Sequence, residues 1–315
     1  MIHNVSRRGK TMYNNGEQPL LEVNGLRKAY PDFQLQDVNF ILPAGTIMGF
    51  LGRNGAGKST TMRAIMDLIK PDDGDIRILG MSMPEEEVAV KEQVGYVGDT
   101  PLMNNAWTME RTLNFARHFY PDWDQEAVEQ NLERFEIPRD KKISELSKGM
   151  KVKASLILAM AHQPKLLLLD EPTSGLDPVV RTEVLELLLD FVQDESRGVL
   201  FSSHITSDVE KIADWVTVID DGKIFFSEDK ESLLDRYRRI VIPGDGTKGQ
   251  TLCPTSDKDK KATDILFNCQ QAMGGYVGYT ERFDRFQKIA TGNWYSERLT
   301  LEELFVLLTG KKESK

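Results

Sequence analysis

The sequence predicts an α/β fold with a mostly parallel sheet, and three apolar segments carry this prediction. The segments "TIMGFLG", "KLLLLDEP" and "GVLFSSH" have the composition and length of buried strands, and each ends abruptly in glycine or polar residues. Helix-length segments such as residues 179–193 lie between strands, which implies crossover connections and parallel pairing. Because open sheets of this kind bind ligands at the carboxyl ends of their strands, the three endings predict one functional edge.

The composition of the 315-residue chain fits a globular protein and excludes some functions. With 40% hydrophobic residues, the chain can bury one or two ordinary cores. The formal net charge of -9 argues against a nucleic-acid partner, because neutralising phosphates needs a basic face. No stretch approaches the roughly 18 uninterrupted apolar residues that cross a bilayer. Only Cys253 and Cys269 are present, and their spacing predicts neither a metal site nor a disulfide framework.

Changes in composition along the chain predict three regions. Residues 1–19 are polar and lack the apolar middle of a secretory signal, so we expect a loose tail on a cytosolic protein. Residues 20–230 form the predicted main domain, and their segment 99–163, rich in helix formers, is a predicted helical insert. Residues 235–315 follow a turn-rich boundary and form a predicted small α+β extension. Its closing segment "TLEELFVLLTG" has capping-box spacing for a short final helix.

The segment "GRNGAGKS", residues 52–59, satisfies the phosphate-loop pattern of two glycines five apart followed by Lys and Ser. Its glycines let successive backbone N–H groups face a phosphate, and the following helix presents its positive end to the same anion. Lys58 supplies a mobile charge for the outer phosphates, and the Ser59 hydroxyl is a candidate ligand of Mg²⁺. The segment therefore predicts a site for the phosphates of a nucleotide and for Mg²⁺.

Two further strand endings carry candidate catalytic residues. Asp170 and Glu171 follow an apolar strand, where the first acid can hold Mg²⁺ through water and the second can orient an attacking water. An isolated acidic pair after a strand is more often a solvated turn, but a phosphate loop on the same sheet favours catalysis. His204 ends a third strand, where it could reach a terminal phosphate. On its own, such a histidine is more often merely hydrogen-bonded.

Five motifs in order, "GRNGAGKST", "LSKGM", "LLLLDEP", "SGLD" and "SSH", resemble the ATPase subunit of ATP-binding-cassette (ABC) transporters over about residues 20–228. The resemblance implies a P-loop NTPase core, a mostly parallel sheet with an antiparallel β subdomain and a helical insert. It implies that Lys58, Glu171 and His204 are catalytic and that Asp170 holds the metal. The residues that it places on ATP are Tyr30, Gly52, Arg53, Asn54, Gly55, Ala56, Gly57, Lys58, Ser59 and Thr60 and, from a second subunit, Ser147, Gly149 and Asp177.

Two positions keep a second interpretation open. Tyr30 lies where the family places an aromatic residue that stacks on adenine, and a core or surface tyrosine is the alternative. Asp99 stands where the family usually carries a glutamine that contacts Mg²⁺. A carboxylate can hold the metal more strongly but lacks the donors of an amide. We therefore expect Asp99 on the metal side of the site, with a simple turn aspartate as the alternative.

The motif "LSKGM" also departs from the family pattern, since Lys148 and Met150 replace a glycine and a glutamine. Ser147 and Gly149 remain, and they offer a hydroxyl and a backbone N–H to a terminal phosphate at a helix start. Because the helical insert separates the motif from the phosphate loop, we expect it to serve ATP held by a second subunit. Most of the surrounding lysines are expected on a solvated helix face: Lys141, Lys142, Lys148, Lys151 and Lys153.

The resemblance is to the stand-alone ATPases of bacterial exporters of drugs, antimicrobial peptides or lipids. It implies a homodimer, or else a heterodimer, that drives a separate membrane permease from the cytoplasmic face of the cell membrane. A soluble ABC ATPase that acts on ribosomes, DNA or a sensor is the alternative. An aromatic-rich patch could receive the permease, although core packing is the simpler interpretation for most of its members: Trp107, Phe115, Phe119, Tyr120 and Trp123.

Overall fold

The computed structural model describes residues 18–100, 103–244, 266–272, 274–290 and 293–310. The chain divides into two compact units, Met1–Glu228 and Asp229–Lys315. The predicted loose tail falls almost entirely outside the described residues.

The first unit contains a six-stranded, mostly parallel sheet beside a four-stranded antiparallel one. The strands in chain order are β1 (Leu21–Tyr30), β2 (Phe33–Leu42), β3 (Ile47–Leu51), β4 (Asp73–Ile78), β5 (Met81–Met83), β6 (Val94–Val97), β7 (Leu166–Asp170), β8 (Gly198–Ser203), β9 (Trp215–Asp220) and β10 (Lys223–Asp229). The larger sheet has the order β10-β9-β3-β8-β7-β6, and the smaller has the order β2-β1-β4-β5. Both the parallel sheet and the antiparallel subdomain were predicted, and both are confirmed.

Burial explains why the central strands read as continuous apolar runs. Strands β3, β7 and β8 are buried along their whole length, as expected for parallel strands covered on both faces. The antiparallel sheet shares this core, because the Phe40 ring of β2 lies 5.3 Å from the Phe50 ring of β3. The polar ends of the strands therefore project from a rigid, well-packed sheet.

Helices cover the sheets and form the predicted insert. They are α1 (Lys58–Ile65), α2 (Glu87–Glu92), α3 (Met109–Ala116), α4 (Gln125–Arg134), α5 (Lys148–Met160), α6 (Pro178–Phe191) and α7 (Thr206–Ile212). The insert comprises α3, α4, a short 3-10 helix (Ile143–Glu145) and α5. Side chains of Thr108, Asp124 and Ser147 cap the three α-helices by accepting backbone N–H bonds. Among the described residues, no helix is long and apolar enough to span a membrane.

The second unit begins at Asp229, six residues before the extension predicted at 235–315, and contains both helices and strands. It contains α8 (Lys230–Arg236), β11 (Arg238–Pro243), β12 (Phe267–Ala272), β13 (Gly275–Thr280), α9 (Phe283–Ile289), β14 (Tyr295–Arg298) and α10 (Leu301–Thr309). Its antiparallel sheet has the order β12-β13-β11-β14. Thr300 and Glu303 form the capping box that begins α10. Cys269 is disulfide-bonded, so the expectation of no disulfide is wrong at this residue, and Cys253 lies outside the described residues.

Burial of His162, just after α5, predicts a pH dependence of stability. The ring stacks on Tyr120 with 4.1 Å between centroids, and desolvation lowers the pKa of His162 below its ordinary value. Unfolding therefore takes up a proton once the pH falls below about 6.5, which lowers the free energy of unfolding.

We expect His162→Phe, which keeps a stacked ring, to lose less stability than the wild type between about pH 7.5 and about pH 5. Urea unfolding at both pH values measures the difference. An identical pH dependence in the two proteins would show that His162 does not contribute.

Candidate active site

The register of three parallel strands brings the predicted functional residues to one edge. Strand β3 pairs with β8 so that Leu51 lies opposite Ser203, and β7 pairs with β8 so that Asp170 lies opposite Ser202. The phosphate-loop segment, the acidic pair and His204 follow these three strands. Their shared edge agrees with the expectation drawn from the strand endings.

Backbone conformation explains the glycines of the loop at residues 52–57. Gly55 and Gly57 have φ angles of 80° and 114°, in the left-handed region that side chains disfavour. A Cβ at Gly57 would also lie 2.7 Å from the Leu35 Cδ2 atom. No side chain caps α1 in the described structure, and no acid stands in its first turn. The first N–H groups of α1 have no partner within the helix, and no side chain caps them. The end of the loop can therefore bind an anion.

Lys58, the first residue of α1, is buried and faces inward. Its Nζ atom donates to the carbonyl oxygens of Gly52 at 2.8 Å and Arg53 at 3.3 Å. The same Nζ atom lies 3.0 Å from Glu171 Oε1. These oxygens offset the cost of burying the ammonium group.

Glu171 is held between two of the predicted catalytic residues. Its Oε1 atom forms the ion pair with Lys58, and its Oε2 atom lies 2.8 Å from His204 Nδ1. The backbone of Glu171 has a φ angle of 54°, an uncommon conformation for a side-chain-bearing residue. The structure thus brings Lys58, Glu171 and His204 into one contiguous group.

Ser202 is a member of the site that sequence reasoning missed. Its buried hydroxyl donates to Asp170 Oδ1 at 2.6 Å and accepts the Glu171 backbone N–H at 2.9 Å. The pair of serines that ends the otherwise apolar strand β8 was the available signal. Asp170 Oδ2 has no hydrogen-bond partner among the described residues, although Asp170 is only 1% exposed. A buried carboxylate oxygen of this kind fits a cation.

Two outer residues of the predicted site lie in different surroundings. Asp99, after β6, is half exposed, and its Oδ1 atom lies 3.6 Å from Arg63 Nη2 on α1. This ion pair competes with a role as a metal ligand. Tyr30, at the end of β1, is 44% exposed, with Lys28 Nζ 5.9 Å from its ring centroid. The tyrosine is therefore not a core residue, and its ring is accessible for stacking.

The residues expected to act on a second subunit's ATP lie at the starts of α5 and α6. Ser147 Oγ accepts from the Met150 N–H, and Asp177 Oδ1 accepts from the N–H groups of Val179 and Val180. Gly149 is buried beside Val180. Within the described part of the chain, no hydrogen bond joins Ser147 or Asp177 to the group around Lys58.

Two lysines in and after the motif "LSKGM" have partners in their own chain, and one of the two is buried. Lys153 is 7% exposed, and its Nζ atom lies 2.8 Å from Glu183 Oε2 on α6. Lys148 Nζ donates to the Ser174 carbonyl oxygen at 2.7 Å. For Lys153 the expectation is wrong, because the ion pair compensates the buried charge.

Comparison with known proteins decides the family. The family model described as ABC transporter matches residues 35–174. ABC transporter ATP-binding protein YtrB of Bacillus subtilis (strain 168) is 32% identical over 262 residues, which cover 77% of this chain and 89% of YtrB. The chain belongs to the ABC transporter ATP-binding proteins. It is an ATP-binding and ATP-hydrolysing subunit of an ABC transporter, as the sequence predicted.

Other members are similar over comparable lengths. The bacitracin transport ATP-binding protein BcrA of Enterococcus faecalis is 31% identical, with 70% of this chain and 73% of BcrA covered. The Nod factor export ATP-binding protein I of Sinorhizobium fredii (strain NBRC 101917 / NGR234) is 30% identical, with 74% and 69% covered. A solved ATP-binding subunit of an ABC transporter superposes with a TM-score of 0.62 at 29% identity, with 69% of this chain and 92% of that chain covered.

The Ser202 hydroxyl gives a specific test of the site. We expect Ser202→Ala to lower the free energy of unfolding by about 1–3 kcal/mol, because it leaves Asp170 Oδ1 and the Glu171 N–H without this partner. ATP turnover should fall more than ATP affinity, because both acids lose their orientation.

Thr217→Val, which removes a buried hydroxyl from β9 of the same sheet, is the matched control. Urea unfolding and steady-state ATP hydrolysis measure the two effects. Equal turnover in the two variants would contradict a positioning role for Ser202.

Proposed function

We propose that two copies of this chain bind two ATP molecules between them and drive a separate membrane permease in the direction of export. The observation that carries the proposal is the group around Glu171, whose two carboxylate oxygens face Lys58 and His204. Such a group, at the end of a phosphate loop, suits attack of a water on a terminal phosphate.

The loop at residues 52–57 and the start of α1 bind the phosphates of ATP in this proposal. Lys58 supplies the positive charge for the outer phosphates, and the exposed Tyr30 ring stacks on adenine. The left-handed glycines and the uncapped helix start support this assignment. The ATP contacts in one chain are then Tyr30, Gly52, Arg53, Asn54, Gly55, Ala56, Gly57, Lys58, Ser59 and Thr60.

We assign Asp170 and Ser59 to Mg²⁺, which when bound neutralises charge on the phosphates. The support is the unpaired, buried Oδ2 atom of Asp170. The described residues contain no cluster of three or more His, Cys, Asp or Glu ligands. This suits a metal held mainly by phosphates and waters rather than by a protein cage. Asp99 joins this set only if its ion pair with Arg63 opens.

Glu171 is the proposed base. When phosphates occupy the loop, they compete with Glu171 Oε1 for the Lys58 ammonium, and the freed carboxylate oxygen can accept a hydrogen bond from the attacking water. His204, already beside Oε2, keeps the carboxylate oriented and can contact the terminal phosphate. The carboxylate thus exchanges one partner and retains the other.

The second copy completes each site. Ser147, at the start of α5, is exposed and already placed to present a hydroxyl beside a helix N-terminus. We propose that Ser147, Gly149 and Asp177 contact ATP bound to the partner's loop. Because both surfaces contact the nucleotide, ATP stabilises the closed dimer over the open one. A homodimer is the proposed form. If the chain instead forms a heterodimer, purification of the chain will also recover a second ATPase subunit.

An exposed aromatic ladder on the helical insert is the proposed permease contact. Phe115 is 53% exposed and Phe119 is 63% exposed, with 5.0 Å between their rings. Trp107 lies 5.1 Å from Phe115 and extends the ladder. Tyr120 stacks on His162, and Trp123 donates to Gln125. We therefore do not include these two residues in the proposed contact surface. Docking there would place the chain at the cytoplasmic face of the membrane through its partner.

Glu171→Gln tests the assignment of the base. We expect ATP binding to persist, because the amide keeps the shape of the side chain, and turnover to fall by about 100-fold or more. Equilibrium binding of ATP and steady-state hydrolysis measure the two effects. Hydrolysis at the wild-type rate would remove Glu171 from the proposed role.

Alanine at both Phe115 and Phe119 tests the docking surface. We expect ATP hydrolysis by the isolated chain to persist, because both rings lie on the surface, while co-purification with a membrane permease is lost. Val88→Ala changes another exposed apolar residue, 76% exposed on α2, and should leave co-purification intact. Recovery of the wild-type chain with ribosomes instead of a permease would contradict the transport function.

A further inference from the structure

We infer that Lys148 is a positioning residue that holds residues 174–177, called the D-loop below, against α5 of the same chain. This inference rests on the proposed function, in which Ser147, Gly149 and Asp177 contact the partner's ATP. Lys148 fixes the positions of these residues relative to one another. The contact between Lys148 and the D-loop is called the lysine bridge below.

The bridge is a charge-assisted hydrogen bond to the backbone. Lys148 Nζ donates to the Ser174 carbonyl oxygen at 2.7 Å, across 26 residues of sequence. Gly175, the next residue, has a φ angle of 65°, and a Cβ there would lie 2.5 Å from the same Nζ atom. The ammonium group therefore occupies space that exists because residue 175 is glycine. A glycine at position 148, as in the family pattern, could not form this contact.

Two neighbouring contacts join α5 to α6, the helix that follows the D-loop. A Cβ at Gly149 would lie 2.8 Å from Val180 Cγ1, so α5 approaches α6 closely at this point. Further along, the buried Lys153 forms its 2.8 Å ion pair with Glu183 of α6. Close packing at Gly149 and the ion pair of Lys153 thus hold α5 against α6. Lys148 holds the start of α5 against the loop that leads into α6.

The charge of Lys148 is locally unfavourable, which favours a specific role for it. A cation in the first turn of a helix opposes the helix dipole, and no acid stands in the first turn of α5. The Ser174 carbonyl offsets this cost by accepting from the ammonium group. Because Nζ is engaged by its own chain, the geometry favours positioning of the D-loop over direct contact with the partner's phosphate.

The bridge is also connected, through the backbone, to Glu171 of its own chain. The backbone N–H of Ser174 donates to the Glu171 carbonyl oxygen at 3.1 Å, and that of Leu176 donates to Thr173 at 3.3 Å. These backbone hydrogen bonds join the D-loop to the segment that begins at Glu171, and Lys148 binds the first residue of the D-loop. Loss of the bridge should loosen the loop and lower the turnover number, with little change in ATP affinity.

Amide hydrogen exchange of the nucleotide-free chain tests the bridge without depending on ATP hydrolysis. The variants are Lys148→Ala, Lys148→Arg, which keeps a charged donor, and Lys151→Ala, which removes the same charge further along α5. We expect Lys148→Ala to speed exchange at residues 174–176 by about three- to tenfold. Lys148→Arg and Lys151→Ala should exchange like the wild type. Unchanged exchange in Lys148→Ala would overturn the inference.

Steady-state kinetics of the same variants separates positioning from phosphate contact. We expect kcat to fall about three- to tenfold in Lys148→Ala with less than about a twofold change in KM, and to be restored in Lys148→Arg. A raised KM with unchanged kcat would assign Lys148 to the partner's phosphate and overturn the positioning role, as would an unchanged kcat. If the wild-type chain hydrolyses no ATP, the proposed function fails, while the exchange comparison still decides whether the bridge exists.

Discussion

The parallel register of β3, β8 and β7 is the constraint on which the candidate site depends. It sets Leu51 opposite Ser203 and Asp170 opposite Ser202, so that a loop, an acidic pair and a histidine meet at one edge. A slip of one residue would turn the Asp170 side chain to the other face of the sheet. The apolar, fully buried strands hold the register, because a slipped pairing would lose their packing.

The sequence predicts the strands and helices of the main unit, but it misses contacts that depend on a neighbouring strand or helix. The parallel sheet, the antiparallel subdomain and the helical insert follow from local pattern or from the family resemblance. Ser202 was missed because its role depends on which Asp170 atom lies beside it, and that is set by register across 32 residues. Lys153 was misjudged because its partner Glu183 lies 30 residues away on another helix. Helical periodicity carries no information about such a partner.

Substitutions within a family motif acquire a physical meaning only in three dimensions. In the sequence, Lys148 is a departure from the family pattern, and in the structure it donates to the D-loop backbone. Asp99 is a second departure, and its ion pair with Arg63 ties the segment after β6 to the helix after the phosphate loop. Nothing in the structure explains why methionine stands at position 150.

The central claim is that each working site is built from two chains. The most direct measurement is ATP hydrolysis by mixtures of Lys58→Ala, which keeps its "LSKGM" motif, and Ser147→Arg, which keeps its phosphate loop. The account predicts that each variant alone is inactive and that the mixture regains activity, because a mixed dimer contains one intact composite site. If no mixing ratio exceeds the summed activity of the separate variants, while mixed dimers form, the composite site is contradicted.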